Sequence, residues 1–348
     1  MKFLDKKTAQ ALLTVLVFGL GLLFVYAAWR VLITFLFSIF FAYLLEAPVG
    51  RLQRWLKGSR NGAITLVYLI FVAGLVLVWD LAAPKIVLEA QTLVRQAPQL
   101  AQSISEEHIR QLASQHGWSD ATYRSVESFL MEHRSQIIDT AQDLVLRAAR
   151  TLQSVWWFFL VPILAIFFLK DGREFGQRIV ASVENQRNRQ IVAATLEQMN
   201  SMLGDFLRAQ LLLSALAMVV VTFVIWLMGV PYPFALGPAA GVLEFVPVVG
   251  PVLGALLILG IAFLAGYNHL LWVLVFLLVW RGVQDYVNSP KILGEKLKLH
   301  PLAVLFGVLA GGEVAGVIGV FLSIPVLATV RILWHTWQLY RARAASSI

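Results

Sequence analysis

Two glutamates lie where the chain is otherwise apolar. Glu244 sits in "LEFVPVVGPVLG" (Leu243 to Gly254) and Glu313 in "AGGEVAGVIG" (Ala310 to Gly319). Each has helix breakers beside it: Pro247 and Gly250 with the first, Gly311, Gly312 and Gly316 with the second. A carboxylate in an apolar segment is costly, so function is its default reading, as a group that takes a proton, a cation or a charged partner. Proline removes a donor, and unwound backbone frees carbonyls and N–H groups that lipid cannot satisfy. Such backbone is tolerated where it lines a cavity, and there it can hold a polar solute or a coupling ion. A third group, Gln284, Asp285, Asn288 and Ser289 ahead of Pro290, adds side-chain oxygens, although the same residues suit an ordinary capped loop. The chemistry expected is reversible binding of a small polar solute coupled to H⁺ or Na⁺. Glu244 and Glu313 are expected to face a shared cavity and to titrate during transport. Tyr232 and Phe245 are candidates to line the solute path, against the commoner packing role of membrane aromatics.

Bond-making chemistry has no comparable constellation. His108, His116, His133, His269, His300 and His335 are scattered, and no His-Glu-x-x-His pair, Gly-x-Ser-x-Gly elbow or phosphate-cradling Gly-Lys-Ser/Thr loop occurs. The expectation is a protein that is not an enzyme, holds no metal or cofactor and does not itself hydrolyse ATP. Cysteine is absent, which removes disulfides and thiolate ligands.

The elements that must position these residues follow from composition. Of 348 residues, 59% are hydrophobic and 14% charged, well below the roughly 25% charge of a soluble domain. The mean hydropathy is +0.76, and several apolar runs match the ~20 residues a spanning helix needs. The formal charge of +8 belongs to Lys and Arg flanking those runs, which fits membrane orientation and not nucleic-acid binding.

Along the chain, Leu12 to Ala28 and Val31 to Leu45 form two short spans, or one long bent helix, closed by Pro48 and the cluster Arg51, Arg54, Lys57, Arg60. Ala63 to Ala82 is the next span. Residues 84–150 mix both charge signs at helical spacing and form an extramembrane amphipathic domain, with a helix opening at Ser119 and Asp120. Residues 151–207 hold a span from Ser154 to Leu169 and basic cytoplasmic helices; residues 208–333 form the transport core, and 334–348 a cytoplasmic tail. The positive-inside bias places both termini, Asn61 and Gly294 in the cytoplasm and Gly117 outside, with the cell inner (plasma) membrane as the expected location.

Two segments of the core exceed one span. Phe234 to Gly266 and Leu302 to Val330 are both long and both broken, so each should enter the membrane and return as a hairpin. A shift of 69 positions lays "EFVPVVG" (Glu244 to Gly250) over "EVAGVIG" (Glu313 to Gly319). Paired broken segments of opposite entry form an inverted repeat with a midplane site. The fold class expected is therefore all-α and polytopic, with about five to six full spans, two broken hairpins and an extramembrane helical domain.

These segments also resemble a known family. "FFLKDG" (Phe167 to Gly172), "GDFLRAQ" (Gly204 to Gln210), "GVPYPFALG" (Gly229 to Gly237), "EFVPVVGPVLG" (Glu244 to Gly254), "NSPKILGEKLKLHPL" (Asn288 to Leu302) and "AGGEVAGVIG" stand in the order and spacing of the autoinducer-2 exporter family. The resemblance is strongest after Phe167; residues 84–150 match no pattern, and Asp205 lies where relatives often carry a small residue. It implies secondary transport of a small solute, a lipid bilayer as surroundings and a homo-oligomer, with a pentamer as a fitting stoichiometry. Export of a small polar solute such as autoinducer-2 is the leading expectation. Na⁺(Li⁺)/H⁺ antiport is the alternative, and a non-transporting scaffold or stress accessory protein the competing class.

Overall fold

Only a helix closes all its backbone hydrogen bonds within one segment, so a chain this apolar must be helical wherever it meets lipid. A computed structural model of the protein describes residues 6–56, 58–102, 110, 113–114, 119–128, 131–132, 155–293 and 299–345. Among them there are helices and no strands. Among the described residues five helices are long and apolar enough to cross a membrane: Val31–Trp55, Arg60–Leu93, Gln186–Leu227, Leu270–Ile292 and Pro301–Gln338. The fold is that of an all-α polytopic membrane protein. Gly117 and residues 133–154, on which the expected outer domain partly rests, fall outside the described residues, as does Gly294 of the expected cytoplasmic loop. Ser119 does open a helix, over residues 120–128, its Oγ accepting from the Thr122 N–H at 3.2 Å.

The chain divides into two units, Met1–Tyr68 with Ser154–Ile179, and Leu69–Gln153 with Val180–Ile348. In the first, α1 (Lys6–Ala27) meets α2 (Trp29–Trp55) at Ala28 alone. The ladder runs through that residue: Ala28 donates to Phe24 O at 2.7 Å and Leu32 to Ala28 O at 2.9 Å. The chain therefore bends at Ala28 and does not reverse, so the bent-helix alternative holds over two antiparallel spans. No Gly or Pro was there to turn it. Pro48 does not end α2 either, because the next residue, Val49, is fully buried against Ala63, Ile64, Ala165 and Leu169. α3 (Arg60–Gln102) reads through Pro84, and α4 (Val155–Ala181) through Pro162, whose carbonyl accepts from the Tyr68 hydroxyl at 2.8 Å. An apolar surround holds a helix together across a proline that would stop it in water.

In the second unit, Asn185 caps α5 (Gln186–Leu227), accepting from the N–H groups of Arg187 and Asn188 at 2.9 and 3.3 Å. Gly229 then turns the chain into α6 (Pro233–Leu243), with proline at its first position. The tip, residues 244–248, leads to α7 (Val249–Leu264), and α8 (Leu270–Val283) follows. Val221 and Ile225 of α5, Leu236 and Ala240 of α6, Ile258 and Ala262 of α7, and Val273 and Leu277 of α8 bury one shared core. Gly237 and Gly241 let α6 lie directly on Thr222 and Met218 of α5.

Both expected hairpins are present. A Cβ built at Gly250 would fall 1.8 Å from Leu243 O, and one at Gly254 3.3 Å from the Ala240 Cβ, so α6 and α7 run antiparallel in contact. α10 (Pro301–Ala345) is long enough to cross but breaks at Ala315 and Gly316, where φ is −139° and +58°. Its arms fold together: a Cβ at Gly319 would fall 1.8 Å from Gly311 O, and one at Gly307 2.5 Å from the Leu327 side chain. Gly250 and Gly319 are also the last residues of the two aligned heptapeptides. Backbone touches backbone at the same place in each hairpin.

Candidate functional site

The tip of the first hairpin must solve two problems, its freed backbone groups and its carboxylate. Gln210 of α5, buried, donates its Nε2 to the Glu244 carbonyl at 2.5 Å, satisfying an acceptor that the helix break releases. The Glu244 side chain, 14% exposed, accepts from Arg281 Nη1 at 3.3 Å. Arg281 also holds Asp285, through Nε at 2.8 Å and again through Nη2. Two carboxylates thus share one guanidinium at the end of α8. Removing charge from either carboxylate brings the group to neutrality.

Beyond Val283 the helix does not end in a loop, as Pro290 suggested. Gln284–Asn288 forms a π-helical turn that runs into a short helix, α9 (Ser289–Leu293), the Ser289 N–H reaching back to Gln284 O. Such turns appear mostly as single bulges and frequently at functional sites. Here the turn brings Asn288 Nδ2 to Gln284 Oε1 at 2.7 Å, while Gln284 Nε2 donates to Leu213 O at 3.2 Å. Ser214, the next residue of α5, is buried with a hydroxyl that has no hydrogen-bond partner among the described residues. Polar groups of α5, the hairpin tip and the α8 end therefore converge.

Strain marks the same tip. Val248 has φ +67° and ψ −54°, with the Val249 N–H bonded to Pro247 O at 2.8 Å, a γ-turn centred on a β-branched residue. That conformation is rare and strained, and strain of this kind collects at switch regions and ligand clamps.

The expected site residues divide accordingly. Glu244, Pro247 and Gly250 form the first tip, Asp285 joins it through Arg281, and Gln284, Asn288, Ser289 and Pro290 build the π-turn and its exit. Gly311, Gly312 and Gly316 shape the second hairpin. Glu313 is exposed there, with no partner among the described residues. The hairpins meet through Phe245, whose ring lies 6.1 Å from that of Phe321, itself 6.2 Å from Phe206 of α5. Phe245 packs; Tyr232, with φ +58°, donates its hydroxyl to Gln96 of α3.

Sequence reasoning did not single out Gln210, Ser214 or Glu89. The first two stand in and beside "GDFLRAQ" and recur on one helical face of α5, a signal that was available. Glu89 was hidden by the domain boundary expected at residue 84. Because α3 continues, its carboxylate reaches the N-terminus of α6 and accepts from the N–H groups of Phe234 and Ala235 at 2.7 and 3.0 Å. Lys85, one turn earlier, covers the Phe234 ring at 5.2 Å. Glu89→Ala removes an N-terminal cap and is expected to cost about 1 kcal/mol, read as a lowered Tm of the detergent-solubilised protein. Glu89→Gln, which keeps an acceptor, is expected to cost less.

The chain matches the family model described as AI-2E family transporter over residues 12–338. It is 27% identical over 306 residues to "Putative transport protein YrrI" of Bacillus subtilis (strain 168), spanning 87% of this chain and 85% of that protein. It is 26% identical over 340 residues to "Putative permease PerM" of Escherichia coli (strain K12), spanning 94% and 93%. Both hairpins and the polar groups at their tips lie inside the matched range, and the chain belongs to the AI-2E family of membrane transporters.

Proposed function

We propose that this transporter is a secondary exporter of a small polar solute, with autoinducer-2 as the leading candidate, coupled to a proton or Na⁺ gradient across the plasma membrane. The observation that carries the reading is the Glu244–Arg281–Asp285 group at the tip of a closed, strained hairpin. Binding a proton or cation at that group changes its charge at the point where hairpin and α8 touch. That contact is suited to open and close with the cycle. The second hairpin, of matching construction, supplies the opposing gate, and a homo-oligomer is the expected assembly.

Na⁺(Li⁺)/H⁺ antiport is the second reading. It is favoured by the buried Ser214 hydroxyl, a spare oxygen beside the Leu213 carbonyl and the Gln284 amide. Proteoliposomes holding the purified protein separate the two. Autoinducer-2 flux and Na⁺ flux are measured in turn, with and without an imposed pH gradient. Gradient-driven autoinducer-2 movement is the expected result. Gradient-driven Na⁺ movement alone selects the antiporter, and no flux of either above protein-free vesicles rejects both.

A further inference from the structure

A basic group in the first unit takes no part in the hairpin site. Arg60 and Arg173 converge on Glu46 near the C-terminal end of α2, and Arg54 lines the same cavity as Arg173. Arg60 is fully engaged: it donates to Glu46 Oε2 at 3.0 Å and, through Nε, to the Leu169 carbonyl at 3.0 Å, and its side chain is 18% exposed. Its role is to tie α3 to α4.

Arg54 and Arg173 are engaged differently. Arg54 gives Nε to the Gly50 carbonyl of its own helix at 3.3 Å, and its two Nη groups have no partner among the described residues. Arg173 meets Glu46 through Nε and Nη2, at 3.2 and 2.6 Å, and its Nη1, on a side chain 59% exposed, has no partner among the described residues. Between the two guanidinium groups lies a shallow cavity of about 360 Å³, lined by Gly50, Gln53, Arg54, Gly58 and Arg173. A planar guanidinium matches two phosphate oxygens at once, and the Gln53 amide adds a neutral donor.

Depth is fixed by the neighbours. The apolar face of α2 is still buried at Val49, while Trp55, one residue past Arg54, is an exposed aromatic of the kind found at headgroup level. Basic pockets between spans at that level suit anionic headgroups. We propose that this notch binds a phosphate-type anion, presented either by the phosphodiester of an anionic phospholipid or as free phosphate. Arg54 and Arg173 grip its oxygens; Gly50 leaves the room for it. An added Cβ at Gly50 meets nothing within 4 Å, so a larger side chain there fills the notch without removing a charge.

The test uses the purified full-length protein in detergent, titrated separately with phosphatidylglycerol, phosphatidylcholine and sodium phosphate. Binding is read by native mass spectrometry and by the shift in Tm. The wild-type protein is expected to hold phosphatidylglycerol at least about tenfold more tightly than phosphatidylcholine, the scale of losing one charge-assisted contact. The double variant Arg54→Gln with Arg173→Gln, and separately Gly50→Leu, are expected to abolish that preference while keeping the Tm of the unliganded protein. Phosphatidylglycerol binding undisturbed by sodium phosphate identifies a lipid headgroup as the occupant; displacement by millimolar phosphate identifies the free anion. Equal binding of the two lipids with no effect of phosphate overturns the proposal, as does a wild-type preference retained in either variant.

Discussion

Gly250→Ala is expected to prevent the first hairpin from closing. The added methyl group would stand 1.8 Å from the Leu243 carbonyl oxygen, a contact with backbone that no side-chain rotation relieves. Forcing the arms apart strips packing from α6 and α7 and leaves freed polar groups facing lipid. The expected cost is about 3 kcal/mol, the upper end of overpacking, seen as a Tm lower by roughly 5 °C or more in detergent and as loss of flux in proteoliposomes. Gly319→Ala should behave alike, since its methyl group would meet Gly311 O at the same 1.8 Å. Gly260→Ala is the control. Its added Cβ meets nothing within 4 Å, and in mid-helix alanine should stabilise by up to about 1 kcal/mol. A Gly250→Ala protein as stable and active as the Gly260→Ala protein would mean that the hairpin arms do not touch there.

These glycines also show how far the sequence could be read. The hairpins were visible because two breakers and a carboxylate recur after 69 positions in segments too long for one span. Helix limits elsewhere were less visible. Pro48 looked like a helix stop and residue 84 like the start of a separate domain, yet Pro48 and Pro84 sit inside continuous helices, as Pro162 does inside the span expected there. That misreading hid Glu89, which reaches α6 only because α3 continues past Pro84. The site was half legible for a related reason. Glu244 and Asp285 announce themselves as charges in apolar sequence, but their junction is Arg281, which looked like a marker of the cytoplasmic end of a span. Only the geometry turns that marker into a shared counter-ion. Glu313 is the converse, a charge as conspicuous as Glu244 in the sequence and exposed in the structure.

That difference in surroundings sets the expectation for the two glutamates. Glu244→Gln keeps the shape of the side chain and an oxygen for Arg281 Nη1, while Arg281 remains anchored on Asp285. Fold and assembly should survive, with a stability change under about 1 kcal/mol, because Arg281 is 40% exposed and solvent screens the pair. Transport should not survive in the same way. If Glu244 takes up a proton, the tip loses its charge and keeps only a neutral hydrogen bond to Arg281; glutamine fixes that neutral condition permanently. Flux driven by a pH gradient should fall by about tenfold or more, the factor carried by ~1.4 kcal/mol, while solute exchange, which needs no net proton movement, stays partly intact. Glu313→Gln should have the smaller effect, confined to coupling or solute affinity, since an exposed carboxylate with no partner among the described residues has less to release. The measurement is gradient-driven flux and solute exchange for both variants across roughly pH 5.5 to 8.5, about three decades of proton activity above the ordinary carboxylate range. Wild-type flux from Glu244→Gln throughout that range would reduce the carboxylate to a structural link between the hairpin tip and α8. Loss of exchange together with driven flux would instead make Glu244 part of the solute's own binding site.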